Sequence, residues 1–274
     1  MKRIEKFRLI NKYTIGAMGL LLISLVVSWF FTSEMFYWLF QADFQKEPDL
    51  IGQDREATIQ AMLGQINNWE MYIDFAMRYT IYLFPIFALL PIIQFYHEKN
   101  GYFSHAFVRL KNYRRYMVTT IVKYSLISGL CITIPFIIYF SIGNMMIMDH
   151  LQDIGNYDII FGENFYDDHP FLFFLFLATS IYFALGVTFG FMGCAVVLWT
   201  DKKYMVIVIP MVFYLVIGNL AETLGLPLLN VMQSVVAFNT LYTTFEIFIP
   251  LILPVIASFS AIIYKQMRGD YLGY

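Results

Sequence analysis

The chain has 274 residues, of which 59% are hydrophobic, 19% aromatic and only 14% charged. With a mean hydropathy of +0.62, this composition excludes an ordinary soluble domain and a disordered chain. The net charge of −2 hides two sorted populations. Apart from Lys46, Arg55 and Arg78, the Lys and Arg, 15 of the 18, fall in four short segments: 2–12, 99–123, 202–203 and 265–268. Four-fifths of the acidic residues lie across the apolar spans from them. Positive loops resist translocation, so the alternation predicts six passes through a plasma membrane, with both termini cytoplasmic.

The first twelve residues read MKRIEKFRLINK. Ile4, Phe7 and Ile10 recur at helical spacing while Lys2, Arg3, Lys6 and Lys12 are free for headgroups, which predicts an interfacial amphipathic helix over 1–12. The apolar run 13–31 is longer than the core of a signal peptide and no small-x-small site follows it, so it reads as an uncleaved first span. Runs of about 20 apolar residues predict five more spans at 71–96, 117–143, 170–199, 204–220 and 247–264. Pro85, Pro91, Pro250 and Pro254 fall inside spans, where neighbouring groups must satisfy the carbonyls they free. Cys131 and Cys194 also lie in spans and read as small packing residues.

The outer loop 32–70 carries an acidic opening and good helix formers over 54–67, which predicts a short external helix. The outer loop 144–169 is acidic and aromatic, without the spacing of an EF-hand, and reads as a solvated acidic face. Segment 221–246 has no Lys or Arg and is fairly apolar, yet it contains Asn230, Gln233 and Asn239. It predicts a re-entrant or interfacial hairpin on the outer side. The fold class is therefore an all-α membrane protein forming a single transmembrane domain over 1–274.

The cytoplasmic loop 97–116 lies between spans 2 and 3. Gly101 is expected to break the preceding helix. Beyond it, Tyr102, Phe103, Ala106, Phe107 and Leu110 recur on one side of a short helix, with His105, Arg109 and Lys111 on another. Such a helix either lies on lipid or docks into a groove of a partner. The order of features resembles the ABC-2 type transporter permeases: an acid and a glycine closing the second span (Glu98, Gly101), a short aromatic-rich helix, and a basic exit (Arg114 or Arg115, then Lys123). The N-terminal interfacial helix, six spans and apolar hairpin before the last span are similar to that family too.

The resemblance implies that the helix between spans 2 and 3 is a coupling helix, with Tyr102, Phe103, His105, Phe107 and Arg109 facing an ATPase dimer. The chain has no G-x-x-x-x-G-K-[ST], so it cannot cradle ATP itself. ATP and Mg would sit on the partner, and this chain would hold no cofactor and no catalytic residue. A second permease copy or related chain would complete the pathway, and an amphipathic or apolar cargo (peptide, lipid or drug) would be exported. Membrane lipids are the remaining partner, and no nucleic acid is expected.

Arg78 lies about 10 Å along its span from the outer end, with Asp74 one turn earlier. The two either line a pathway or form a structural ion pair. Gly186, Gly190 and Gly193 form a small-residue face that includes a literal GxxxG. It predicts close helix packing within the chain or across a dimer. His97 and His105 have no acid or Cys set at ligand spacing, so no metal site is expected. A membrane-embedded enzyme would need converging ionisable groups that the spans lack. A secondary transporter would show internal repeats and buried carboxylates. A membrane immunity or sensor protein remains a further alternative.

Overall fold

A backbone in hydrocarbon must satisfy its own N–H and C=O groups, which leaves helices as the available form for these apolar runs. The computed structural model describes residues 11–44, 52, 54–103, 113–146, 157–162, 164–236, 238 and 245–268. Among the described residues the elements are helices, with no strand. Six are long and apolar enough to cross a membrane: Lys12–Thr32, Trp69–Gly101, Tyr113–Met146, Pro170–Trp199, Met205–Thr223 and Glu246–Met267. These are spans 1 to 6. The interfacial helix predicted over 1–12 lies outside the described residues except at its last two.

Spans 2 and 3, of 33 and 34 residues, are each about 50 Å long and outreach a hydrocarbon core of about 30 Å. The α-helix of span 2 gives way after Glu98 to a π-turn over Lys99–Phe103, with Gly101 exposed inside it. A Cβ on Gly101 would meet no atom within 4 Å. Residues 104–112 lie outside the described set.

Span 4 is the hub, packing on spans 2, 3, 5 and 6, while span 1 lies against spans 2 and 3. Its glycine face turns inward. A Cβ on Gly186 would stand 2.7 Å from Gly129 Cα and 2.8 Å from Ser128 O in span 3. On Gly190 it would stand 2.5 Å from Ser128 Cβ, and on Gly193 2.7 Å from Leu89 Cδ2 in span 2. All three glycines therefore serve packing within the chain. Cys131 and Cys194 are free and buried.

Two prolines have the carbonyls they free served by side chains of other helices. Pro85 has no N–H for the Ile81 carbonyl four residues back, and the Tyr214 hydroxyl of span 5 donates to that carbonyl at 2.9 Å. Span 6 begins as a 3-10 turn, Glu246–Leu251, in which Pro250 cannot serve the Ile247 carbonyl. Ser234 donates to it at 2.6 Å. At the same membrane end as this turn, Tyr72 of span 2 and Tyr139 of span 3 stack at 4.4 Å. Each hydroxyl donates to the other's backbone carbonyl, at 3.0 and 3.2 Å.

The 54–67 segment forms the expected short helix, Arg55–Ile66, with Asp54 accepting from the Glu56 amide at its N-cap. After span 5 the chain turns at Gly225, whose φ of +70° favours glycine. Asn230 then caps the Val231–Val235 helix by accepting from the Met232 amide at 3.0 Å. Val231, Ser234, Val235 and Phe238 are buried, so this part of the 221–246 segment folds back into the bundle. Residues 237 and 239–244 lie outside the described set.

Because the atoms facing Gly186 are backbone, they cannot rotate away. Gly186→Ala is expected to lower stability by about 1–3 kcal/mol, read as a fall in the detergent-solubilised melting temperature. Gly16→Ala, where nothing lies within 4 Å, is expected to leave it unchanged.

Candidate functional site

The contacts of residues 96–99 gather four of the six spans at one membrane end, the end that carries the basic segments. Lys99 is the centre. It closes an apolar run and belongs to the basic segment 99–123, yet its side chain is only 5% exposed. Its ammonium has three N–H donors and faces three oxygens: Val197 O at 2.9 Å, Thr200 O at 3.5 Å and Asp201 Oδ1 at 3.5 Å. Two of these are carbonyls of the last turn of span 4, where four carbonyls lack helical partners and the helix dipole is negative. Lys99 is thus a C-terminal cap supplied to span 4 by span 2. The Tyr96 hydroxyl donates to the Asp201 carbonyl beside it.

Glu98 faces the other way. Its Oε1 accepts from the Tyr124 hydroxyl of span 3 at 2.7 Å and from Gln94 Nε2 at 3.2 Å. Its Oε2 is buried with no hydrogen-bond partner. His97 is exposed and stacks on Tyr13 of span 1, ring centres 6.2 Å apart. Lys12 Nζ sits over the same tyrosine, 5.2 Å from the ring centre. Trp199, next to the capped turn, donates from Nε1 to Ala261 O of span 6 at 3.1 Å. Its ring stacks on Tyr264 and lies under Lys265 Nζ at 5.4 Å.

Of the residues singled out in the sequence, Glu98 and Gly101 belong to this cluster. Tyr102 and Phe103 continue the π-turn in backbone, while His105, Phe107 and Arg109 lie outside the described residues. Asp74 and Arg78 are both exposed on span 2 and form no ion pair with each other, so the structural-pair reading is not what the side chains adopt. Lys99, Tyr96, Tyr124 and Trp199 escaped the sequence reading. Only Lys99 offered a signal there, as the lysine in immediate contact with an apolar span. Among the described residues no group of three or more His, Cys, Asp or Glu is placed to hold a metal ion.

The contacts of the cluster join helix ends: Lys99 ties span 2 to span 4, Glu98 ties it to span 3 and His97 to span 1. Together, fold and cluster define an all-helical, multi-pass membrane protein. No family model, curated protein or solved structure matches the chain.

If Lys99 acts as a cap and not mainly as an ion-pair partner, its two carbonyl contacts matter more than Asp201, which is 75% exposed. Lys99→Met is expected to cost about 1–3 kcal/mol by orphaning buried carbonyls. Asp201→Asn is expected to cost under about 1 kcal/mol. Equal losses in melting temperature for the two variants would refute the cap.

Proposed function

We propose that this chain is the membrane-spanning permease subunit of an ATP-driven exporter of the ABC-2 type. Its basic end faces the cytoplasm, and a separate ATPase dimer drives it. The observation that carries the reading is the anchoring of residues 96–99. The one loop placed to receive a push, 97–116, starts from side chains tied to spans 1, 3 and 4. Two further features support it. Spans 2 and 3 are long enough to carry that loop clear of the bilayer, and the sequence has no phosphate-cradling loop of its own.

In this reading the helix after Gly101 docks into the ATPase through Tyr102, Phe103, His105, Phe107 and Arg109. ATP and Mg are bound by that partner, and this subunit performs no chemistry. Closure of the ATPase dimer shifts the helix, and the Lys99 and Glu98 contacts convert the shift into tilts of spans 4 and 3. A second copy or a related permease supplies the other half of the pathway. The cargo is an amphipathic or apolar molecule, in keeping with a chain containing 28 Phe, 20 Tyr and 15 Met.

The test is co-purification from native membranes. The wild-type chain is expected to bring down an ATPase with measurable turnover. Gly101→Pro and Arg109→Glu are each expected to cut the associated activity by at least about tenfold, a loss of roughly 1.4 kcal/mol in association. Purification of the chain alone, together with cargo movement driven by an ion gradient without ATP, would overturn the proposal.

A further inference from the structure

Between spans 4, 5 and 6, near the basic end, the surface is cut by an open groove of about 400 Å³. It exists because small residues meet there: Ala195 of span 4 faces Ala257, Ser258 and Ala261 of span 6. Met192, Met205 and Ile209 complete the walls. The lining is almost wholly apolar, and its volume is within the range of sites that hold small molecules. Its walls belong to three membrane-crossing helices, and Ile209 and Ala257 on them are exposed, so acyl chains of the bilayer can reach it.

The mouth has the opposite character. Trp199 and Thr200 line it, Tyr204 follows four residues after Thr200 and Tyr264 stacks on Trp199, and both tyrosines are exposed. Trp and Tyr collect at the depth of lipid headgroups, so this end of the groove lies at the interface. From Trp199 back to Met192 the groove wall descends about 10 Å along the helix. The connection joining spans 4 and 5 across the mouth carries Lys202 and Lys203, both exposed. Lys265 lies over the Trp199 ring. The acid of this region, Asp201, is engaged by Lys99. An apolar slot at membrane depth with three lysines at its interfacial mouth is complementary to a molecule with an acyl chain and a negative headgroup.

We infer that the groove between spans 4, 5 and 6 is a binding site for one anionic phospholipid of the surrounding bilayer. One acyl chain lies along Ala195, Ala257 and Ala261, and its phosphate sits among Lys202, Lys203 and Lys265. The Trp199 indole, held by Ala261 O and Tyr264, forms the shelf between chain and headgroup. The site is separate from the residue 96–99 cluster but abuts the turn that Lys99 caps, so the lipid bridges spans 5 and 6 beside the capped end of span 4. The inference stands independently of any ATPase partner.

The test is native mass spectrometry of the full chain after detergent extraction from bicelles containing equal phosphatidylglycerol and phosphatidylcholine. The wild-type chain is expected to retain a single phosphatidylglycerol, favoured at least about fivefold over phosphatidylcholine, the gain expected from one lysine at a membrane surface. Ala257→Leu and Ile209→Trp fill the groove from opposite walls, and each is expected to lower retention at least about tenfold. If one of them fails to fold, as judged by size-exclusion chromatography, the other decides. The triple variant K202Q/K203Q/K265Q is expected to bind both lipids equally. Equal retention of the two lipids by the wild type, undiminished retention in the filled variants, or a preference that survives loss of the three lysines would overturn the inference.

Discussion

In a lipid-facing bundle the most expensive local error is a backbone carbonyl without a donor, because no water is present to supply one. Several features of this structure answer that constraint with a side chain from another helix. Tyr214 serves the carbonyl freed by Pro85, Ser234 the one freed by Pro250, and Lys99 the open end of span 4. Ser28 reaches Phe75 O at 2.7 Å from span 1. Each repair is also a cross-link between helices. The interactions that make broken helices tolerable therefore set how the helices are joined.

The two membrane ends are joined by different sets of contacts. At the basic end they converge on residues 96–99. At the opposite end hydrogen bonds and ring stacking combine: Tyr72 and Tyr139 stack and each donates to the other's carbonyl, and Trp69 stacks on Phe174 at 5.2 Å. The groove lies beside the basic-end cluster, between span 4 and the two spans that have no direct contact with residues 96–99.

Much of the architecture was legible in the sequence because hydropathy and charge sorting act over long windows. The six spans and the Arg55–Ile66 helix were readable from composition, caps and run lengths alone. What could not be read is direction. Lys99 looks like any lysine ending an apolar run, and only the fold shows its ammonium turned inward onto span 4. Asp74 and Arg78 have favourable i,i+4 spacing, yet both stay exposed and unpaired with each other. Spacing says that two groups can meet, not that they do. Gly101 shows a further limit: a glycine marks where a helix changes, but it does not say that the change takes the form of a π-turn. The pairing of Pro85 with Tyr214, 129 positions apart in sequence, has no local signal at all.

That pairing offers the most direct test of the constraint, through a double-mutant cycle on the purified chain. Tyr214→Phe alone should lower unfolding free energy by about 1–3 kcal/mol, since it orphans the Ile81 carbonyl. In a Pro85→Ala background the restored amide can bond Ile81 O within its own helix, and the same substitution should then cost less than about 0.5 kcal/mol. A cost for Tyr214→Phe that is the same in both backgrounds would contradict the account, because the hydroxyl would then be stabilising something other than the carbonyl that proline leaves open.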